Sequence, residues 1–160
     1  MRLMIVAVGR MKAGPERDLA ERYGARAAAS ARNAGLAGFD LREVDEGRGR
    51  HADERKAEEA RAIAAALPRG ALAVALDEQG EAATSVALAA RIGRARDAAT
   101  PAFVLIVGGP DGLDAGLRSS CATTLAFGAM TWPHQLVRIM AAEQLYRAVT
   151  ILSGHPYHRA

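Results

Sequence analysis

Short apolar runs alternate along the chain with longer stretches in which apolar positions recur every three or four residues. Leu3–Val8, Leu72–Leu76 and Phe103–Val107 are apolar at every position and end at Gly or Asp. Such runs fit strands buried on both faces, as in a parallel sheet covered by helices. A further strand is predicted over Phe39–Val44 and a weak one over Thr124–Met130. Between them, Pro15 suits the first turn of a helix carrying Leu19, Tyr23 and Ala27 on one stripe, ended by Gly35 and Gly38. Asp53–Leu67 reads as a helix with Ala57, Ala60, Ile63 and Ala64 on its apolar side and Pro68 just beyond. Ser85–Asp97 is another, and Gly112–Cys121 is a loop with a short helix. The last helix begins near Thr131-Trp132-Pro133, with Thr131 as N-cap, and carries Leu136, Val137, Met140, Ala141, Leu145 and Ala148 on its apolar face. The order predicts an α/β fold with a parallel sheet. No repeat or linker divides it, so residues 1–160 form one domain.

Two polar stretches interrupt this pattern. Asp45–His51 is glycine-bearing and reads as a mobile loop, and the charges of Asp53 to Glu59 read as a solvated helix face.

Composition sharpens the picture in a few places. Half of the residues are hydrophobic, 50%, which suffices for a core in a chain of 160 residues. The net charge is +3, and 19 of the 21 basic residues are Arg beside 37 Ala, a skew that fits a GC-rich coding background. That excess alone identifies no nucleic-acid partner. Its layout says more: residues 1–70 carry +3, 71–130 carry −2 and 131–160 carry +2, with three of the four histidines in the last segment. A single Cys121 forms no intrachain disulfide and reads as a structural thiol in a reducing compartment. No apolar run approaches the roughly 20 residues of a membrane helix, so the expected home is the cytoplasm, with no membrane partner.

Ligands of open parallel sheets gather beyond the carboxyl ends of strands. Three loops qualify: Leu76–Gly80, Val107–Gly112 and Phe127–Trp132. Glycines there admit a ligand to the backbone, and equally make ordinary turns. No Gly-Lys-Ser/Thr and no Gly-x-Gly-x-x-Gly follows, which removes the P-loop and NAD readings and leaves a ligand without pyrophosphate open. His155 and His158 lack acidic neighbours, so no metal is expected. Beside Tyr157 and Arg159 they suit an anion or an aromatic base, unless the terminus simply frays. Glu143 and Arg147 have the spacing of an intrahelical ion pair. Arg138 is placed either to reach a phosphate or to stand in solvent.

Five strings then occur in one order: Leu76-Asp77-Glu78-x-Gly80, Val107-Gly108-Gly109-Pro110-x-Gly112, Thr131-x-Pro133-His134-Gln135-Leu136-Val137-Arg138, Glu143-Gln144-Leu145-Tyr146-Arg147-Ala148 and His155-Pro156-Tyr157-His158-Arg159. Together they resemble the ribosomal large-subunit RNA methyltransferase H family of the SPOUT superfamily, over essentially the whole chain. The resemblance implies S-adenosyl-L-methionine as methyl donor and methylation of N3 of a pseudouridine in 23S rRNA of the assembled ribosome. It also implies a homodimer whose C-terminal half is a trefoil knot, a feature that periodicity does not encode. By the same resemblance, Leu76, Gly108, Gly109, Phe127, Gly128, Ala129, Met130, Thr131 and Trp132 match the cofactor-contacting loops. Tyr157, His158 and Arg159 match the tail that reaches an active site shared with the partner subunit. His158 is then the candidate base, since histidine titrates near about 6.5, and Arg159 the residue beside it in catalysis. Arg138, Arg147 and Tyr157 are expected to meet RNA. Other readings are a non-catalytic ribosome-binding factor and a SPOUT enzyme acting on transfer RNA.

Overall fold

A computed structural model describes residues 1–158. Five strands, β1 (Arg2–Val8), β2 (Phe39–Val44), β3 (Leu72–Ala82), β4 (Ala102–Val107) and β5 (Thr123–Ala126), pair in the order β2-β1-β4-β3-β5. Every pairing is parallel. Five α-helices connect and cover them: α1 (Pro15–Ser30), α2 (Ala52–Ala66), α3 (Ser85–Asp97), α4 (Ala115–Ser120) and α5 (His134–Leu152). None of the described helices is long and apolar enough to cross a membrane.

The continuous apolar runs arise because both sheet faces are sealed. Along β1, Leu3, Ile5 and Ala7 enter one cluster and Met4, Val6 and Val8 the other. Along β4, Phe103, Leu105 and Val107 join the first cluster, Val104 and Ile106 the second. The first is closed by α3 and α5, through Leu88, Ile92, Ala141, Leu145 and Val149; the second is closed by Ile63 of α2 and Leu113. Strand periodicity of two thus divides one apolar run between two cores.

The chain departs from the sequence pattern in three places. β3 runs on to Ala82 instead of stopping at Leu76, because its ladder with β5 resumes after a register shift. β5 stops at Ala126, not Met130. Helix α5 starts at His134 behind Pro133, with no side-chain cap, since the Thr131 hydroxyl is engaged elsewhere.

Arg138 corrects an expectation. It does not stand at the surface: its side chain is 1% exposed, under the end of β1. Its guanidinium donates to Glu43 at 3.1 Å and to the carbonyl of Val8, while Nε has no partner. The same Glu43 oxygen accepts the Met11 amide at 2.8 Å. Burial lowers the Arg138 pKa from the ordinary guanidinium value, and Glu43 and Glu46 oppose that shift. The residue therefore ties α5 to β1 and β2 and presents no charge to an RNA phosphate.

Removing the Arg138 side chain leaves a void under β1 and the Val8 carbonyl without its donor, while Glu43 reaches solvent. Arg138→Ala is expected to lower the unfolding free energy by about 2–5 kcal/mol, measured by urea denaturation. The double variant Arg138→Met/Glu43→Gln, which leaves no unpaired charge, recovers part of that loss.

Candidate functional site

A bulge within β3 and the connections from the carboxyl ends of β4 and β5 enclose a cleft of about 880 Å³. Each wall has its own local cause.

The first wall is a bulge inside β3. Leu76 and Glu81 both pair with Leu125, so Asp77–Gly80 loops out of the ladder toward the cleft. Gly80 is required there, because a Cβ would lie 2.5 Å from the Leu125 main chain. The Asp77 carboxylate accepts the Gln79 amide at 2.9 Å and pairs with Arg118 of α4 at 3.2 Å.

The second wall is the turn after β4. The Gly112 amide donates to the Gly109 carbonyl at 3.0 Å, and Gly112 has φ +83°, a conformation that favours glycine. Gly108 and Gly109 are buried. A Cβ on Gly109 would crowd Val8 Cγ1 at 3.0 Å and both Glu59 carboxylate oxygens at 3.2 Å. Packing behind the turn therefore holds glycine at 109, and Gly108 and Gly109 both line the cleft.

The third wall is Phe127–Trp132. Trp132 Nε1 donates to the Phe127 carbonyl at 3.3 Å, folding the segment on itself. Thr131 Oγ1 donates to Glu78 Oε2 at 2.6 Å and joins this wall to the first. Met130 is 71% exposed at the rim. Leu76, Val107, Leu125 and Val137 supply apolar lining. His134, in the first turn of α5, also faces the cleft; burial and the nearby Arg138 lower its pKa from the ordinary histidine value, against Glu46.

Most of the residues matched to cofactor contact lie together here. Leu76, Gly108, Gly109, Phe127, Gly128, Met130, Thr131 and Trp132 line the cleft, and Ala129 lies within the same segment. Sequence reasoning missed Lys56, Arg118 and His134 as lining residues. Lys56 and Arg118 arrive from helices whose charges carry no periodic signal.

The tail residues gather elsewhere. Tyr157 Oη donates to Glu143 Oε1 at 3.2 Å and its ring packs on Tyr146 at 4.7 Å between centroids. Arg147 donates to the same Glu143 oxygen from Nε at 2.9 Å and lies 5.0 Å from the Tyr157 ring centroid. His158 Nδ1 is 3.5 Å from the Arg147 guanidinium. Burial, with Tyr23 and Glu143, pushes the Tyr157 pKa up to about 12, and the Glu143 carboxylate raises that of Arg147. Glu143 follows Val137, the last residue of α5 lining the cleft, by six positions, about 9 Å of helix. Arg159 lies outside the described residues.

Comparison with known proteins matches this arrangement. A family described as "Predicted SPOUT methyltransferase" matches residues 1–158. A protein of Rhodopseudomonas palustris (strain HaA2) named "Ribosomal RNA large subunit methyltransferase H" is 54% identical over 160 residues, covering 100% of both chains. One of the same name from Methylobacterium radiotolerans is 56% identical over 99% of this chain and 98% of its own. The crystal structure of a probable methyltransferase from Bordetella pertussis Tohama I superposes with a TM-score of 0.52 at 16% identity, over 92% of this chain and 93% of the other, a likeness of fold. With a family match across nearly its full length and relatives above half identity, the chain belongs to the SPOUT methyltransferase family.

Proposed function

We propose that this methyltransferase transfers the methyl group of S-adenosyl-L-methionine to N3 of a pseudouridine in the 23S rRNA of the assembled ribosome. The observation that carries this reading is the three-walled cleft at the strand ends, in a chain whose full-length relatives are named for methylation of large-subunit ribosomal RNA. In this reading the protein works beside cytoplasmic ribosomes as a homodimer with a knotted C-terminal half.

The residues present fit the cofactor. The cleft is large enough for a nucleoside with an amino-acid arm, by the usual range of about 300–1,000 Å³ for ligand pockets. Its apolar lining suits an adenine face, and the main chain of Phe127–Trp132 suits the ring's edge. The Gly108-Gly109 backbone admits close approach. Asp77 is paired with Arg118, whereas Glu78 meets the Thr131 hydroxyl and is the carboxylate left to face a cationic ligand.

When bound, S-adenosyl-L-methionine supplies an electrophilic methyl group on a sulfonium. The protein's part is to align the acceptor nitrogen, to exclude water and to take one proton. Alignment of two reactants accounts for about 7–11 kcal/mol of barrier lowering in well-oriented systems. We assign proton acceptance from the N3 imide to His158, and stabilisation of the resulting anion to Arg159 with help from Arg147. Tyr157 stacks on or contacts the RNA. The tail contacts α5 at Glu143 and Arg147, six and ten positions beyond the cleft residue Val137, about 9 and 15 Å of helix. In the homodimer of this reading these groups serve the partner's cleft.

Three outcomes follow from these assignments. Labelled cofactor should transfer methyl to whole ribosomes, and much less to isolated subunits or free RNA; transfer to transfer RNA alone, or binding without transfer, would support the competing readings. Gly108→Val should weaken cofactor binding at least tenfold in calorimetry while the fold persists, since its added carbons crowd the Gly112 backbone and Leu113, each 3.1 Å from a Cβ at that position. His158→Ala should lower kcat on ribosomes and flatten the rise of rate with pH that a histidine base imposes. A wild-type pH profile in that variant removes His158 from the proton step.

A further inference from the structure

The connection between β2 and α2 is held in place, contrary to the mobile loop its composition suggested. Gly47 and Gly49 face α2. A Cβ on Gly47 would stand 2.5 Å from the Arg55 main chain, and one on Gly49 would stand 2.5 Å from Glu54 Cβ. The alternation of glycine and arginine then turns Arg48 and Arg50 to solvent.

The acidic face of α2 binds the main chain of this strap. The Gly47 amide donates to Glu59 at 3.0 Å, Arg48 to Glu58 at 2.7 Å and Arg50 to Glu54 at 2.9 Å. Arg55 returns hydrogen bonds to the carbonyls of Gly49 and Arg50, both at 3.1 Å. These charges are therefore no simple solvated face; Glu59 is 4% exposed, and burial raises its pKa from the ordinary carboxyl value. Arg55 also grips Asp111 with two hydrogen bonds, at 2.7 and 3.1 Å. Asp111 belongs to the β4 turn that borders the cleft. One guanidinium thus fastens the strap to the cleft rim.

The side chains of Arg48 and Arg50 have no carboxylate partner among the described residues. Glu58 and Glu54 accept from the amides of these same two residues, Glu59 from that of Gly47, while Asp45 pairs with Arg10 and Asp53 with Lys56. Two unpaired guanidiniums on an ordered main chain meet an incoming anion without the ordering cost of a mobile loop. We propose that Arg48 and Arg50 form a preset clamp for the sugar-phosphate backbone of the RNA, placing it at the rim of the cleft. The inference rests on the ribosomal RNA reading above. Contacts of this kind fix position and register and carry no sequence information.

The test compares wild type, Arg48→Ala/Arg50→Ala and Arg48→Lys/Arg50→Lys in ribosome methylation and ribosome binding across ionic strength, with cofactor affinity measured by calorimetry. The alanine pair should raise KM for ribosomes about tenfold and make the log–log salt dependence of binding shallower by about two. The loss should fall on KM rather than kcat and leave cofactor affinity unchanged. The lysine pair should restore the salt dependence, since charge is what it retains. An alanine pair with wild-type KM and salt slope overturns the clamp, as does a loss of cofactor affinity in step with KM, which marks the strap as a brace for the cleft. Wild-type protein that neither binds nor methylates ribosomes overturns the underlying RNA reading instead, and the clamp with it.

Discussion

A parallel sheet with both faces sealed leaves only its ends open to solvent, and the rest of this molecule follows from that constraint. Every residue of β4 from Ala102 to Val107 is buried, on one side or the other. Side chains from the sheet faces therefore cannot build a site. Polar groups and free backbone collect where buried strands stop or break their ladder, at the ends of β4 and β5 and at the break within β3. The bulge in β3, the diglycine turn after β4 and the folded segment after β5 are three local departures from a sealed sheet, and together they make one cleft.

Charge is arranged around the same constraint. Arg138 is buried beneath the end of β1, where Glu43 and the Val8 carbonyl occupy it, and it locks the last helix to the sheet. Arg55 reaches across from α2 to the β4 turn and joins a basic strap to the cleft. Arg147 sits between Glu143, Tyr157 and His158 and orders the tail. The three arginines have one chemistry and three different tasks, and burial and partners distinguish them.

Much of this was legible in the sequence. The apolar runs located three strands, β1, β3 and β4, and their lack of alternation announced burial on both faces. The three strand-end loops, Leu76–Gly80, Val107–Gly112 and Phe127–Trp132, supply most of the cleft's loop residues. What remained hidden depended on partners far away in the chain. The 77–80 bulge needs β5 as its pairing strand, so Leu76 looked like a strand end. Thr131 resembled a helix cap, but Glu78, 53 residues earlier, takes its hydroxyl. The acids of α2 looked solvated because the amides they hold lie in the preceding loop, outside helical periodicity. Arg138 carried the same spacing as a surface charge, and only the packing of α5 over β1 buries it.

On the proposed function, this cleft methylates a pseudouridine of large-subunit ribosomal RNA. Nuclease digestion and mass spectrometry of that RNA, from cells with and without the gene for this chain, read that modification at its site. One N3-methylated pseudouridine should disappear on deletion and return with the wild-type protein but not with Gly108→Val. A methylation pattern unchanged by deletion would contradict it.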